Sequence, residues 1–180
     1  MAKRDKDTIT IGSCKVYMAV FADTMPSKET LFVEDNRVGY VKGGAAVEYT
    51  TEPYEEKDDL GYVSKIIVIS EEVLVKLGLI TWNGKTLQQL VDRCTVTEAE
   101  GMRTVKIGGA GNAQGKYYAI GLWHEDKADG DIWIMLKGRN NAGVTLTLAA
   151  DSGTLLEPEF KAMPHDEAGT LLEYIEEIPA

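Results

Sequence analysis

The sequence predicts a mainly β protein, an antiparallel β-sandwich or half-barrel with one flanking α-helix, a long acidic loop and terminal arms. Three observations support this prediction. Segments of alternating polarity recur along the chain, clusters of Gly, Asn and Asp separate them, and a single segment has helical periodicity. The 180 residues are expected to form one domain that buries a sizeable core.

The prediction centres on residues 38–50, where apolar and polar side chains alternate at roughly period-two spacing. Gly43 and Gly44 interrupt the alternation. Because glycine tolerates positive φ and close backbone approach, we interpret the stretch as two short β-arms joined at a bulge or bend. Such a bent strand, followed by an acidic loop, is a plausible edge for another subunit to complete.

Further strand candidates lie on both sides of this stretch. In the first half alternation indicates strands at residues 8–11, 15–21, 62–69 and 73–79. Residues 70–72 are interpreted as a turn, with the cap of a short helix as the alternative. The second half resembles a meander with five candidates, at residues 102–107, 116–123, 131–137, 144–149 and 155–162.

One helix is predicted, over residues 85–93. Leu87, Leu90 and Val91 share one face of it, and Asn83 or Thr86 is the expected cap. Trp123 and Trp133 fall in strand candidates that face each other, so we expect both rings to be structural.

The acidic loop is assigned to residues 48–61, where six acidic residues stand against one lysine and one proline. This composition is typical of a solvated segment outside the core. Two arms complete the predicted domain 1–180: an N-terminal arm over residues 1–14 and a C-terminal arm over residues 164–180. Both carry apolar alternation that we expect to find no partner within the chain, although an ordinary edge strand fits the pattern equally well.

Charge and composition exclude several classes of protein. A net charge of −10 opposes affinity for nucleic acid, which depends on Lys and Arg neutralising phosphates. It is compatible with a surface past which DNA slides. No apolar run approaches the roughly 18 residues of a membrane helix, and the polar N-terminus shows no secretory signal. We expect Cys14 and Cys94 to be reduced thiols rather than a disulfide.

The sequence offers no catalytic constellation, cofactor site or metal site. The third glycine of a nucleotide-binding loop beginning at Gly109 would fall at Gln114. His124-Glu125 lacks the second histidine of a zinc helix motif, since Ala128 holds that position. We therefore expect no enzyme activity and no cofactor.

Four segments, in order along most of the chain, carry a resemblance to a known family. They are residues 37–49, residues 77–87, residues 104–109 with Asn112, and residues 160–166 running into 169–172. Together they resemble the major tail tube proteins of tailed bacteriophages, especially long-tailed, non-contractile phages and prophages of Gram-positive hosts. Each motif alone is weak, and their specificity comes from their order.

The resemblance implies a phage tail tube-like fold and a structural role. Subunits of this family form hexameric rings that stack into a tube, and double-stranded DNA passes through its negatively charged lumen during ejection. Expected partners are other copies of the chain, the tape-measure, tail-terminator and baseplate or tip proteins, and DNA in transit without sequence-specific binding. No membrane partner is expected. The implied location is the virion tail, after synthesis in the host bacterial cytoplasm.

On this hypothesis the acidic loop and the arms contact neighbouring subunits, and acidic strand residues face the lumen. The candidate contacts between subunits or rings are Thr8, Ile9, Ile11, Gly43, Gly44, Tyr54, Glu55, Glu56, Asp58, Asp59, Leu171 and Tyr174. The candidate lumen charges are Glu48, Glu52 and Asp131. Two alternatives remain open: the tube protein of a contractile tail or phage-tail-like bacteriocin, and a monomeric β-sandwich binding module.

Overall fold

The computed structural model describes Arg4 and residues 7–178, so parts of both predicted arms lie outside the described residues. Within this range the strands are β1 (Lys15–Val20), β2 (Arg37–Gly39), β3 (Val41–Lys57), β4 (Ser64–Leu79), β5 (Cys94–Ala99), β6 (Met102–Ile107), β7 (Tyr118–His124), β8 (Ile132–Asn140), β9 (Glu159–Met163) and β10 (Leu172–Glu176). The helices are α1 (Lys28–Leu31) and α2 (Gly84–Leu90), with short 3-10 turns at Glu34–Asn36 and Ala110–Asn112.

Eight strands form one antiparallel sheet in the order β2-β1-β7-β8-β9-β4-β3, with β10 pairing β8 beside β9. Strands β5 and β6 form a separate two-stranded sheet. The predicted mainly β class, with a sandwich or half-barrel architecture and a flanking helix, is therefore confirmed.

The main sheet curves back on itself because its two terminal strands are consecutive in the chain. Only Tyr40 separates β2 from β3, so the Cα atoms of Gly39 and Val41 lie within about 7 Å of each other. The carbonyl of Tyr40 accepts from the backbone N–H of Ile80 at 2.9 Å, and its own N–H donates to Thr81 Oγ1 at 2.7 Å. This seam turns the sheet into a half-barrel.

The main core fills the concave side of the half-barrel. Val16, Val75, Ile120, Leu136 and Phe160 are fully buried there, contributed by five different strands. Helix α2 covers this core with Leu87 and Leu90. Because the residues come from distant parts of the chain, the core joins both halves of the sequence into one domain.

The predicted helix is confirmed, ending three residues earlier than expected. Asn83 is its N-cap, accepting from the backbone N–H groups of Lys85 and Thr86 at 2.8 and 3.3 Å. Thr86 completes a capping box by accepting from the N–H of Asn83, and its hydroxyl donates to the carbonyl of Val38 at 3.2 Å. Both expected cap residues thus take part, and they tie the helix to β2.

A second, smaller cluster lies on the opposite side of the sheet. Tyr17 and Met135 are buried there beneath α1 and the loop that precedes it. Trp123 and Trp133, directly paired across β7 and β8, stack with ring centroids 6.3 Å apart. The structural role expected for both tryptophans is therefore confirmed.

The acidic segment 48–61 is largely strand, which corrects the loop assignment. Its residues up to Lys57 belong to β3 and pair with β4, and the expected turn at residues 70–72 is part of an uninterrupted β4. A partner strand rich in isoleucine and valine supplies the backbone hydrogen bonds that local composition did not reveal. The bulge predicted at Gly43 and Gly44 is present, with φ of +88° and +82° and a register shift.

Three other expectations about strands were wrong. Residues 8–11 and 144–149 form no strand, and the candidate at 155–162 is reduced to β9. For the C-terminal arm the alternative of an ordinary strand holds, because β10 pairs with β8 inside the same chain. In each case alternation alone did not specify which edge was available for pairing.

We predict that Gly39→Ala destabilises the protein by about 1–3 kcal/mol, because its new Cβ would lie 2.3 Å from the carbonyl oxygen of Thr81 in the seam. Gly111→Ala is the matched control, since a Cβ there meets nothing within 4 Å. Urea unfolding of both variants measures the difference. Equal stability of the two would contradict a tightly closed seam.

Candidate interaction surface

The most unusual feature is the outer part of the β3–β4 hairpin, residues 45–71, which we call the projecting hairpin. Every residue in this range is exposed, whereas β4 becomes buried on alternate positions from Val73 onward. The 17 residues of β3 extend over about 55 Å. The outer part of the β3–β4 hairpin therefore extends away from the core.

Both faces of the projecting hairpin carry apolar side chains. Ile67 lies opposite Tyr54 on one face, while Ile66 and Val68 lie on the other. Ile66, Ile67 and Val68 remain 64%, 47% and 59% exposed. A two-stranded ribbon with uncovered apolar groups on both sides is typical of a surface that another molecule covers.

The outer edge of β3 also lacks a partner among the described strands, since β3 pairs only with β4. Its exposed backbone N–H and C=O groups form a template for strand addition. Pro53 lies in this edge strand beside a register shift, the kind of position to which proline is confined within sheets.

The tip of the hairpin is an ordered turn. Asp58 accepts from the backbone N–H groups of Val63 and Leu60 at 2.6 and 3.3 Å. The hydrogen bond from Val63, followed by others from the backbone, lowers the pKa of the Asp58 carboxyl. This turn presents Leu60, Tyr62 and Val63 to solvent, exposed by 76%, 84% and 70%.

Most of the predicted contact residues fall on the hairpin and its base. Gly43 and Gly44 form the bulge at the base, and the residues of the middle and tip are Tyr54, Glu55, Glu56, Asp58 and Asp59. Alternation did not show that this acidic segment faces an apolar strand. The apolar run from Ile66 to Ile69 predicts a strand, and the sequence does not show that the side chains of this strand stay exposed.

Two of the three predicted lumen residues share a surface. Glu48 and Glu52 lie on the face of β3 turned away from the core, together with Glu72 of β4, which the sequence reasoning missed. Asp131 lies elsewhere, beside the turn between β7 and β8. Its carboxylate accepts from Trp123 Nε1 at 2.9 Å, which is a structural role.

The two ends of the chain meet on the turn between β7 and β8. The buried guanidinium of Arg4 donates through Nε to the carbonyl of Gly130 at 2.8 Å and pairs with Asp126 at 3.4 Å. From the other end, the N–H of Glu177 donates to the carbonyl of Asp131 at 3.1 Å. Both arms are thus held on their own subunit, a docking that sequence alternation did not predict.

The predicted arm contacts are distributed around this turn. Ile9 and Ile11 are exposed by 74% and 80%, and the hydroxyl of Thr10 between them accepts from Arg4 Nη1 at 2.7 Å. Thr8 lies beside them in the same extended segment. On the C-terminal side, Leu171 packs against the core and Tyr174 of β10 is half exposed.

A buried histidine holds the start of the C-terminal segment. His165 Nε2 lies 3.0 Å from Glu173 Oε1, and the backbone N–H of His165 donates to the carbonyl of Thr170 at 3.1 Å. This short excursion separates β9 from β10, which otherwise continue along the same edge of β8.

The described residues contain no group of three or more potential metal ligands, and Cys14 and Cys94 are free thiols whose pKa values burial raises. A thiol with a raised pKa is a weak nucleophile at neutral pH. None of the helices described is both long enough and apolar enough to cross a bilayer.

Comparison with known proteins adds no identification: no family model matches the chain, and no curated protein matches it. The geometry described above is therefore the basis for any functional conclusion.

We predict that Val68→Thr in the projecting hairpin changes stability by less than about 0.5 kcal/mol, whereas Val75→Thr on the same strand costs about 1–3 kcal/mol. The two changes are chemically identical, but Val75 is fully buried and Val68 is 59% exposed. Urea unfolding measures both. A large loss at Val68 would show that the hairpin packs against its own chain.

We also predict that the contact between Arg4 and the turn that joins β7 to β8, which we call the N-terminal anchor, is lost in acid. Backbone hydrogen bonds, first that from Asp129, and the nearby Arg4 lower the pKa of Asp126 from its ordinary value of 3.8. Its ionised form therefore supports the anchor above pH 3.8, and this support is lost as the pH falls through the lowered value.

The side-chain Nε–H resonance of Arg4 in an NMR titration reports this release. The chemical shift of this resonance should stay constant from pH 7 down to pH 3.8 and move toward the value of free arginine at lower pH. In Asp126→Asn the chemical shift should already differ from that of the wild type at pH 7. Asp129→Asn, in the same turn, should leave it unchanged. An unshifted resonance in Asp126→Asn would refute the anchor.

Proposed function

We propose that this chain is the structural subunit of a phage tail tube. In this proposal copies assemble into hexameric rings, and the rings stack around a negatively charged lumen that conducts double-stranded DNA. The observation that carries the proposal is the projecting hairpin, which is apolar on both faces and has a free backbone edge. A subunit that ends in such an element is incomplete alone.

The size of the hairpin supports a permanent assembly rather than a brief encounter. Stable protein interfaces bury on the order of 800 Å² per partner, and the outer part of the hairpin, residues 52–70, offers 19 exposed residues on two uncovered faces for such contact. Closed rings also remove free strand edges, because each edge is paired or covered by the next copy.

The distribution of charge supports passage of DNA. Glu48, Glu52 and Glu72 share the face of the sheet opposite the core, where Lys76 pairs with Glu48 and Lys161 pairs with Glu72. Glu52 forms no ion pair among the described residues, and the net charge of the chain is −10. If this face lines the tube, the unpaired carboxylate and the negative charge of the chain repel the duplex over roughly one Debye length, about 8 Å at physiological salt. DNA would then slide without adhering. Tape-measure, terminator and tip proteins are the other partners in this proposal.

A sugar-binding module has less support. Such a module commonly presents aromatic rings on an open face, but Trp133 is buried, and Trp82 and Trp123 are each half-buried. The exposed rings of Tyr49, Tyr54 and Tyr62 lie along the projecting hairpin, together with the exposed isoleucines. The tube of a contractile tail would use the same subunit geometry, and a sheath protein encoded beside it would favour that version.

The deciding experiment removes the outer part of the projecting hairpin, residues 52–70, without disturbing the core. Thr51 and Glu71 are directly paired, so residues 52–70 can be replaced by Asn-Gly, which forms a tight two-residue hairpin. We predict that the wild type forms rings or tubes at high concentration in negative-stain microscopy, and that the shortened variant stays a folded monomer.

Circular dichroism and light scattering establish folding and mass for both proteins. Normal tubes from the shortened variant would refute the role of the hairpin. A wild-type protein that remains monomeric at all concentrations would contradict the proposed function itself.

A further inference from the structure

An open groove of about 480 Å³ lies between α2, β5 and β1. Its floor is apolar and includes the buried side chains of Met18 and Tyr118 with the half-buried Val96. Lys85 and Lys116 stand exposed at its margin. The groove thus combines an apolar floor with a cationic rim.

The two lysines form no ion pair with any described residue. The acidic groups that share the margin are Asp35 and Glu98, and Glu98 is paired with Arg103 at 2.7 Å. Two cations therefore face one unpaired carboxylate, so the local excess of charge is positive. An acidic ligand fits this rim.

The charge of the chain is segregated on a larger scale as well. Residues 80–118, which contain α2, β5 and β6, carry five basic and three acidic residues. Residues 41–79, which contain the β3–β4 hairpin, carry eight acidic and four basic residues. The region around the groove is thus positive within a protein whose net charge is −10.

The tip of the projecting hairpin has the complementary chemistry. Leu60, Tyr62 and Val63 are more exposed than most apolar side chains of the protein, and Glu56 and Asp59 flank them. Neither acidic residue pairs with a cation among the described residues. Because the tip is exposed in its own chain, it does not occupy the groove of that chain.

We propose that the hairpin tip of one copy docks into the α2–β5–β1 groove of a second copy. Leu60, Tyr62 and Val63 contact the apolar floor, and Glu56 and Asp59 approach Lys85 and Lys116. This inference rests on the proposed function and identifies the surface that receives the hairpin. It also makes assembly sensitive to salt, since the charges lie at an exposed rim.

Photocrosslinking tests the docking directly. Tyr62 is replaced by p-benzoylphenylalanine, and a mixture of 14N- and 15N-labelled protein is irradiated so that crosslinks between copies are recognised by mass. We expect crosslinked peptides that contain Lys85, Val96 or Lys116 of the other copy. The same probe at Leu148, which is 88% exposed in another region, is the control and should not reach these peptides.

The outcomes separate the two proposals. Tubes whose Tyr62 crosslinks fall on another surface overturn the docking but leave the tube function standing. An absence of both tubes and crosslinks between copies overturns both.

Charge reversal provides an independent test. Glu56→Lys with Asp59→Lys, or Lys85→Glu with Lys116→Glu, should slow assembly at least about tenfold because like charges then face each other at the rim. The variant that carries all four changes should recover most of the wild-type rate. If the variant with all four substitutions folds but assembles no faster than the double variants, the docking proposal is overturned.

Discussion

The antiparallel pairing of β3 with β4 is the interaction on which the rest of the structure depends. At its inner end this ladder carries Val73, Val75 and Leu77 into the core, and there β4 also pairs with β9. The same ladder continues outward through a register shift between Glu52 and Pro53, and its outer half inherits its direction from the buried half. A two-stranded ribbon is only marginally stable alone, and this continuity is what orders the hairpin.

The hairpin combines two properties that oppose each other in association between copies. Its isoleucines and valine favour association, while Glu52, Glu55 and Asp59 oppose unselective contact between copies through like-charge repulsion. Acidic residues on an edge are a common device against wrong pairing. Contact is then favoured only where a partner offers apolar surface and positive charge together, which makes electrostatics a source of specificity more than of affinity.

Sequence patterns predicted the elements whose determinants are local. The Asn83 cap, the glycine bulge and the facing tryptophans each depend on a few neighbouring residues, and all three are present. What could not be predicted depends on distant partners. The acidic segment became strand because residues 64–71 lie opposite it, and residues 8–11 form no strand although their alternation is clear. The anchor of Arg4 on the 126–131 turn joins positions more than a hundred residues apart, beyond the reach of any local pattern.

The boundary between the core and the projecting hairpin lies close to Val73. Inward of it, substitutions act on the core that holds the monomer together, because alternate side chains of β4 are buried. From Glu71 outward the residues of β4 are exposed, so the isoleucines and the valine there contribute little to the stability of the single chain. An apolar ribbon that the monomer does not need for folding carries a cost in solubility. Contact with other copies of the chain would bury the ribbon and remove this cost. This is the physical argument for treating the monomer as a part of a larger assembly.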